Sequence, residues 1–215
     1  MKVVAILQAR CSSTRLPNKI LKEIMGKAMI QHQLERVNRC KYIDQLVVAT
    51  STEQSDSKLE ELCVKLNTSI YRGNLNNVLD RFYQTALITK ADIVVRLTGD
   101  CPLADPDLID EVIQMHIKEQ NNYTSNVETE TFPDGLDVEV FNFHDLKDAW
   151  DNACTTSDLE HVTPYIRNNR KIKKGSYISK NNYSNYRWTV DEPRDLDFIK
   201  EIYSILGSQG QFILF

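Results

Sequence analysis

The stretch KVVAILQA at 2–9 runs directly into RCSSTRLPNK at 10–19, and this junction decides the fold. The first half is a short apolar run rich in β-branched residues, the pattern of a strand buried on both faces. The second half is polar and basic, and Pro17 bars a continuous helix through it. A buried strand that opens into a cationic loop is how an open parallel sheet presents a ligand site, beyond the carboxyl ends of its strands.

Working outward, the same alternation recurs. QLVVAT at 45–50 and ADIVVRLT at 91–98 read as further buried strands, with a short one at 69–72. Helical spacing appears at 29–40, at 55–66 with Ser55 as N-cap, at 77–89, and at 105–119 with Asp105-Pro106 as cap and first turn. GLDVEVF at 135–141 alternates like a half-exposed strand, a short strand is expected to end at Asp191, and 193–206 reads as a closing helix. The stretches 120–135 and 168–186 read as loop-like insertions, and QFILF at 211–215 as a tail that docks on the core or on a partner chain. The expectation is an α/β chain, one domain over 1–215, with a mainly parallel central sheet covered by helices on both faces.

Composition narrows the function classes. The chain has 215 residues, 41% of them hydrophobic and 26% charged, which excludes a disordered or collagen-like chain. Five scattered cysteines form no C-x-x-C pair, so neither a disulfide scaffold nor a zinc ribbon is expected, and a reducing cytoplasm is. The apolar run at 3–7 is too short for a membrane span or a signal h-region. Net charge is −4, yet residues 1–40 carry eight basic side chains against two acidic ones, a local +6. That is a local anion site on an acidic body, with neither nucleic acid nor membrane as a partner.

The chemistry sits in four places. Arg10, Arg15 and Lys19 supply three cations in the first loop, and Ser12, Ser13 and Thr14 add hydroxyl donors. Together with turn N–H groups they would hold a polyphosphate. The seven glycines form neither G-x-G nor G-x-x-x-x-G-K-[ST], so the grip is not a dinucleotide fingerprint or a P-loop. RLTGDCP at 96–102 puts Asp100 at a strand end. A carboxylate beside polyphosphate calls for a divalent cation between them, which makes Asp100 a candidate Mg²⁺ ligand, with a turn cap as the bland alternative. In RWTVDEPRD at 187–195, Asp191 either caps the last helix or gives the same metal a second carboxylate, while Asp195 and Asp197 read as solvated. LEHVTPY at 159–165 places Glu160 and His161 at a helix start, more often a structural pair than a catalytic one. His32, His116 and His144 lack metal-ligand partners at useful spacing. Trp150 and Trp188 read as packing residues, and Cys11 is not expected to be a nucleophile.

These stretches, in this order, resemble the cytidylyltransferases that make CMP-activated acidic sugars, and in particular the spore coat polysaccharide biosynthesis protein F group. The likeness rests on AR-x-x-S-x-RLP-x-K at 9–19, LTGDCP at 97–102, VDEP-x-D at 190–195 and LEH at 159–161. It implies a Rossmann-like nucleotidyltransferase fold, a homodimer joined by an extension around 120–186, and CTP with Mg²⁺. It implies Ala9, Arg10, Ser12, Ser13, Arg15 and Lys19 around the triphosphate. Thr50, Ser51, Asn77, Asp80 and Arg81 would line the cytosine and ribose pocket. Asp100 and Asp191 would hold the metal, and Arg10, Lys19 and Asp100 would carry catalysis. Arg96, Thr98, Asp137, Glu139, Glu160 and His161 would face the sugar. Enzymes of this kind that make CMP-Kdo carry Gln where this chain has Thr98 and Glu where it has Cys101. TFPDGLDVE at 131–139 follows the spore-coat group instead. The implied reaction is CMP transfer from CTP to an acidic sugar, for surface or spore-coat polysaccharide. The rival readings are a nucleotidyltransferase with another nucleotide or a non-sugar acceptor, and a nucleotide-sugar glycosyltransferase. The last usually shows Asp-x-Asp at a strand end, where this chain has one Asp.

Overall fold

Alternate side chains of the first strand, β1 (Val3–Gln8), enter two different cores. Val3, Ala5 and Leu7 join one cluster, and Val4 and Ile6 join the other. A strand can do this only if both faces of its sheet are covered, which is why it reads as an unbroken apolar run. The computed structural model describes residues 1–207. The tail at 211–215 lies outside them.

After β1 come a two-residue hairpin, β2 (Glu23–Ile24) and β3 (Lys27–Ala28), and helix α1 (Met29–Val37). Met25 and Gly26 turn the hairpin at positive φ (49° and 76°), the conformation a tight two-residue turn needs. There follow β4 (Gln45–Ser51), α2 (Ser57–Lys65), β5 (Ser69–Gly73), α3 (Val78–Thr89), β6 (Ile93–Thr98) and α4 (Pro106–Glu119). The remainder is β7 (Tyr123–Ser125), β8 (Glu139–Asn142), α5 (Phe143–Asn152), α6 (Thr156–His161), α7 (Pro164–Asn168), β9 (Lys174–Ser176) and α8 (Pro193–Leu206).

Seven strands form one sheet in the order β5-β4-β1-β6-β8-β7-β9. The first four are parallel, β8 runs antiparallel between β6 and β7, and β7 pairs parallel with β9. Helices α1, α2, α4 and α8 fill one face, and α3, α5 and α7 the other. The mainly parallel Rossmann-like architecture is as expected.

Asp105 caps α4 as expected, accepting from the amides of Asp107 (2.9 Å) and Leu108 (3.2 Å). Four local expectations are corrected. A 3₁₀ turn at Gln54–Asp56 precedes α2, so Asp56 rather than Ser55 stands at its cap position. The stretches expected as loops contain β7 and β9. The strand at 135–141 is shorter, starts at Glu139, and is buried rather than half-exposed, because Glu139 is neutralised inside the sheet. No ladder strand ends at Asp191; a single bridge between Asp134 and Arg187 stands there. Among the described residues no helix is long and apolar enough to cross a membrane.

Candidate functional site

Where β1 ends, the chain curls around one residue. The Cys11 carbonyl accepts from the amides of Ser13 (2.9 Å) and Asn18 (3.0 Å), closing 11–18 into a ring. Buried Leu16 and Ile20 anchor it to the core and leave Ser12, Thr14, Arg15 and Asn18 exposed. Asn18 takes positive φ (56°) and starts the 3₁₀ turn Lys19–Leu21. That turn aims Lys19 at the neighbouring strand ends.

At the end of β6, the Gly99 amide donates to the Gln8 carbonyl (2.8 Å). A Cβ at 99 would meet Ala9 Cβ at 2.8 Å, so only glycine lets the two turns lie together. Asp100 is thereby placed beside the loop. Its carbonyl accepts from the Val190 amide (2.8 Å), which brings Asp191 to the same point. Lys19 Nζ then donates to Asp100 Oδ2 (3.1 Å), Asp191 Oδ1 (2.9 Å) and the Val190 carbonyl (2.8 Å). Arg15 and Arg187 each reach Asp191 Oδ2 at 3.0 Å. Burial works to raise the Asp191 carboxyl, but the Lys19 bond and charge, with Arg187 and Arg15, outweigh it and hold it below the usual carboxylate range.

Arg15, Lys19, Asp100 and Asp191 border a cleft of about 540 Å³. Arg81 closes its far side. The side chain is 2% exposed, its Nη1 donates to the Asn74 carbonyl (3.2 Å), and its Nε has no hydrogen-bond partner among the described residues. Burial, then the nearby Arg10 charge, lowers the guanidinium pKa, with Asp56 opposing. A Cβ at Gly73 would sit 2.8 Å from Arg81 Cγ, so that glycine makes the room. Two guanidiniums that repel each other across a cleft form a site prepared for an anion.

Of the residues expected at the site, Ala9, Arg10, Ser12, Ser13, Arg15, Lys19, Arg81, Thr98, Asp100, Glu160, His161 and Asp191 all border this one cleft. Thr50, Ser51, Asn77, Asp80, Arg96, Asp137 and Glu139 do not. Thr50 and Ser51 are fully buried, and the Ser51 hydroxyl bonds Asp56. Asn77 caps α3 through the Asp80 amide (2.9 Å), and Asp80 accepts from Trp150 Nε1 (2.9 Å). Arg96 and Glu139 pair across β6 and β8, and Tyr123 donates to Glu139 (2.7 Å). Asp137 is exposed, yet the protein packed around its carboxyl desolvates it and, with Asp134, Glu139 and Asp100, pushes it up to about 6. Gln8, Leu75 and Thr156 also border the cleft; single polar or apolar residues at element ends carry no distinguishing signal.

Asp195 corrects its solvated reading. It accepts from the amides of Asp191 and Glu192 (2.9 Å each) as half of a capping box at the start of α8. Asp197 is exposed, as expected. Cys11 is buried, and burial, then Asp56, pushes its thiol up to about 12, so it is no nucleophile. His116 is a core histidine, bonded to Thr124 (3.1 Å) and Asn142 (3.2 Å). Trp150 packs on Tyr83 with ring centroids 4.2 Å apart.

Among the described residues no group of three His, Cys, Asp or Glu side chains is arranged to hold a metal ion, so an all-protein metal cage is not built here. The pair Asp100 and Asp191 does fit the mode in which Mg²⁺ takes one or two carboxylates and completes its shell with phosphate oxygens and water.

Comparison with known proteins follows the same line. The spore coat polysaccharide biosynthesis protein SpsF of Bacillus subtilis is 34% identical over 215 residues, 96% of this chain and 88% of that one. A cytidylyltransferase structure from Leptospira borgpetersenii superposes with a TM-score of 0.93 at 33% identity, covering 98% of this chain and 90% of that one. CMP:2-keto-3-deoxy-manno-octonic acid synthetase, complexed with CTP, shares the fold with a TM-score of 0.72 at 18% identity, covering 96% of this chain and 100% of that one. Residues 4–214 match the family described as Cytidylyltransferase. With a family match that runs from β1 past the end of α8, this chain belongs to the cytidylyltransferases, a family of CTP-using nucleotidyltransferases.

Proposed function

We propose that this protein transfers CMP from CTP to a hydroxyl of an acidic sugar of the Kdo or nonulosonate class and releases pyrophosphate. The observation that carries the reading is the meeting of Lys19 with Asp100 and Asp191 in a cleft that also presents Arg10, Arg15 and Arg81. Arg10, Arg15, Lys19, Ser12 and Ser13 hold the triphosphate. Arg81 serves the nucleoside end of the same ligand. Thr98, Glu160 and His161 face the acceptor. Mg²⁺ held by Asp100 and Asp191 would neutralise charge on the phosphate oxygens. The acceptor oxygen forms a bond to the α-phosphorus, the bond to the bridging oxygen breaks, and the hydroxyl proton is lost to solvent. No covalent enzyme intermediate is required. Catalysis comes from positioning and from charges fixed before the reaction. The product would feed polysaccharide synthesis, the role in the name of the Bacillus subtilis relative. A cytoplasmic homodimer is the proposed setting.

One observation favours a second reading of the acceptor. The residues proposed to face the acceptor, Thr98, Glu160 and His161, include no lysine or arginine, while Arg96 lies off the cleft and is paired with Glu139. That balance suits a neutral or amino sugar. The test is pyrophosphate release with Mg²⁺ and each of four nucleoside triphosphates, against Kdo, sialate, legionaminate, pseudaminate, and neutral and amino sugars. Release with CTP and one acidic sugar supports the first reading. Release with only neutral or amino sugars replaces it with the second. Release with ATP, GTP or UTP but not CTP refutes both.

A further inference from the structure

The ring at 11–18 is held from beneath by a residue that belongs to no part of the cleft. Asp56 is fully buried, 45 residues away in sequence, and at the cap position of α2. Its Oδ1 accepts from the Cys11 amide at 2.6 Å, and its Oδ2 accepts from the Ser51 amide (3.2 Å) and from the Ser51 hydroxyl. Cys11 is the residue whose carbonyl gathers the Ser13 and Asn18 amides. One residue thus closes the ring with its carbonyl and is tied to the end of β4 with its amide, through a single carboxylate.

The charge of Asp56 has a second use. Arg10 and Arg81 face each other at the cleft, and burial and their mutual repulsion both work against the Arg81 cation. Asp56 is the anion that opposes them. Burial works to raise its own pKa, but the Cys11 amide and the Ser51 hydroxyl and amide hold it below the ordinary aspartate value. It is therefore ionised throughout the neutral range.

We infer that Asp56 is a positioning residue: it fixes the Cys11 peptide so that the cationic ring is formed before a triphosphate arrives. This rests on the proposed role of the ring as the triphosphate holder. A ring without its tie would be ordered only on binding, and that ordering would be subtracted from affinity. A hydrogen bond to a charged group is a contribution that translates into about ten- to a hundredfold in binding. The loss should fall on ligands that carry the β- and γ-phosphates and spare those that do not.

The experiment is calorimetric titration of the full chain with CTP, CMP and inorganic tripolyphosphate, in the presence of Mg²⁺. Wild type is compared with Asp56→Asn, which keeps the shape but not the charge, and with Ser51→Ala, which removes one donor and leaves the carboxylate. Hydrogen exchange at the Cys11 amide is read in parallel. Expected is a loss of about tenfold or more for CTP and tripolyphosphate in Asp56→Asn, a smaller loss in Ser51→Ala, an unchanged CMP affinity, and faster exchange at Cys11. Equal losses for CTP and CMP, or unchanged CTP binding with the amide freed, overturn the inference. Should Asp56→Asn fail to fold, Ser51→Ala decides alone by the same comparison. Wild type that binds none of the three ligands would instead refute the reading of the ring as a phosphate site.

Discussion

Replacing Lys19 with methionine keeps the stem and deletes the ammonium that joins Asp100, Asp191 and the Val190 carbonyl. A hydrogen bond to a charged group contributes ~1.5–3 kcal/mol net, and breaking a buried ion pair costs ~3–5 kcal/mol. Here the side chains of Asp100 and Asp191 remain 27% and 17% exposed, and Arg15 and Arg187 stay on Asp191. Water and those guanidiniums replace part of what is lost, so the expected cost is about 2–3 kcal/mol. At ~2–4 °C per kcal/mol for a chain of this size, the melting temperature at pH 7 should fall by about 5–10 °C. The pH dependence distinguishes this from simple loss of packing. Asp191 has its carboxyl held below the unfolded value, so its pairing stabilises fully above about pH 4 and is lost as pH falls through the folded value. The gap between Lys19→Met and wild type should be widest near neutrality and narrow as the solution is acidified. Thermal melts across the acid range test this, with CTP and CMP titrations beside them. A gap that stays constant with pH refutes the electrostatic account, and equal losses of CTP and CMP affinity refute the triphosphate role.

Asp100→Asn and Asp191→Asn should each lower pyrophosphate release by about 10²–10³-fold while the protein stays folded by circular dichroism; wild-type turnover in either sinks the metal assignment. Gly135 has φ of +108°, and a Cβ there would meet the Thr189 nitrogen at 2.4 Å. Gly135→Ala should therefore cost at least ~1–3 kcal/mol in denaturant unfolding, and an unchanged midpoint would contradict the described contact of Gly135 with Thr189. Asp195→Ala removes half of the capping box and should cost about 1 kcal/mol in the same assay, more than Asp197→Ala at an exposed position of the same helix.

What was legible in the sequence follows from where each signal resides. β1, β4 and β6 are buried on both faces, so their identity is written locally as apolar β-branched runs. β7 and β9 are three residues each, Tyr-Thr-Ser and Lys-Gly-Ser, and owe their existence to a partner some fifty residues away. β8 misled because Glu139 looks like an outward residue, and only Arg96 and Tyr123 on neighbouring strands make it an inward one. At the site, the density of cations at 10–19 marked the cationic side of the cleft directly. Thr50, Ser51, Asn77 and Asp80 look equally polar in sequence, but the last three are engaged in a cap or a side-chain bond and Thr50 is fully buried. Asp56 was invisible for the opposite reason: its partners, Cys11 and Ser51, give it no local pattern.

The reversal of β8 has a consequence for how the surroundings of the cleft can change over time. Beside β6, chain that leaves strands β1 and β6 builds one wall, and chain that enters β8 lies at the same end because that strand points the other way. The leaving segments are short and locked against each other at Gly99. The entering one, 126–138, has its ends fixed by the β7–β8 pairing and its middle tied through Asp134 and Gly135 to Trp188 and Thr189, just ahead of Asp191. A change at Asp134 or Gly135 would therefore reach the segment that carries Asp191. A lineage that changes this connection changes the setting of an aspartate at the cleft along with it, so the two evolve as one unit rather than as exchangeable parts.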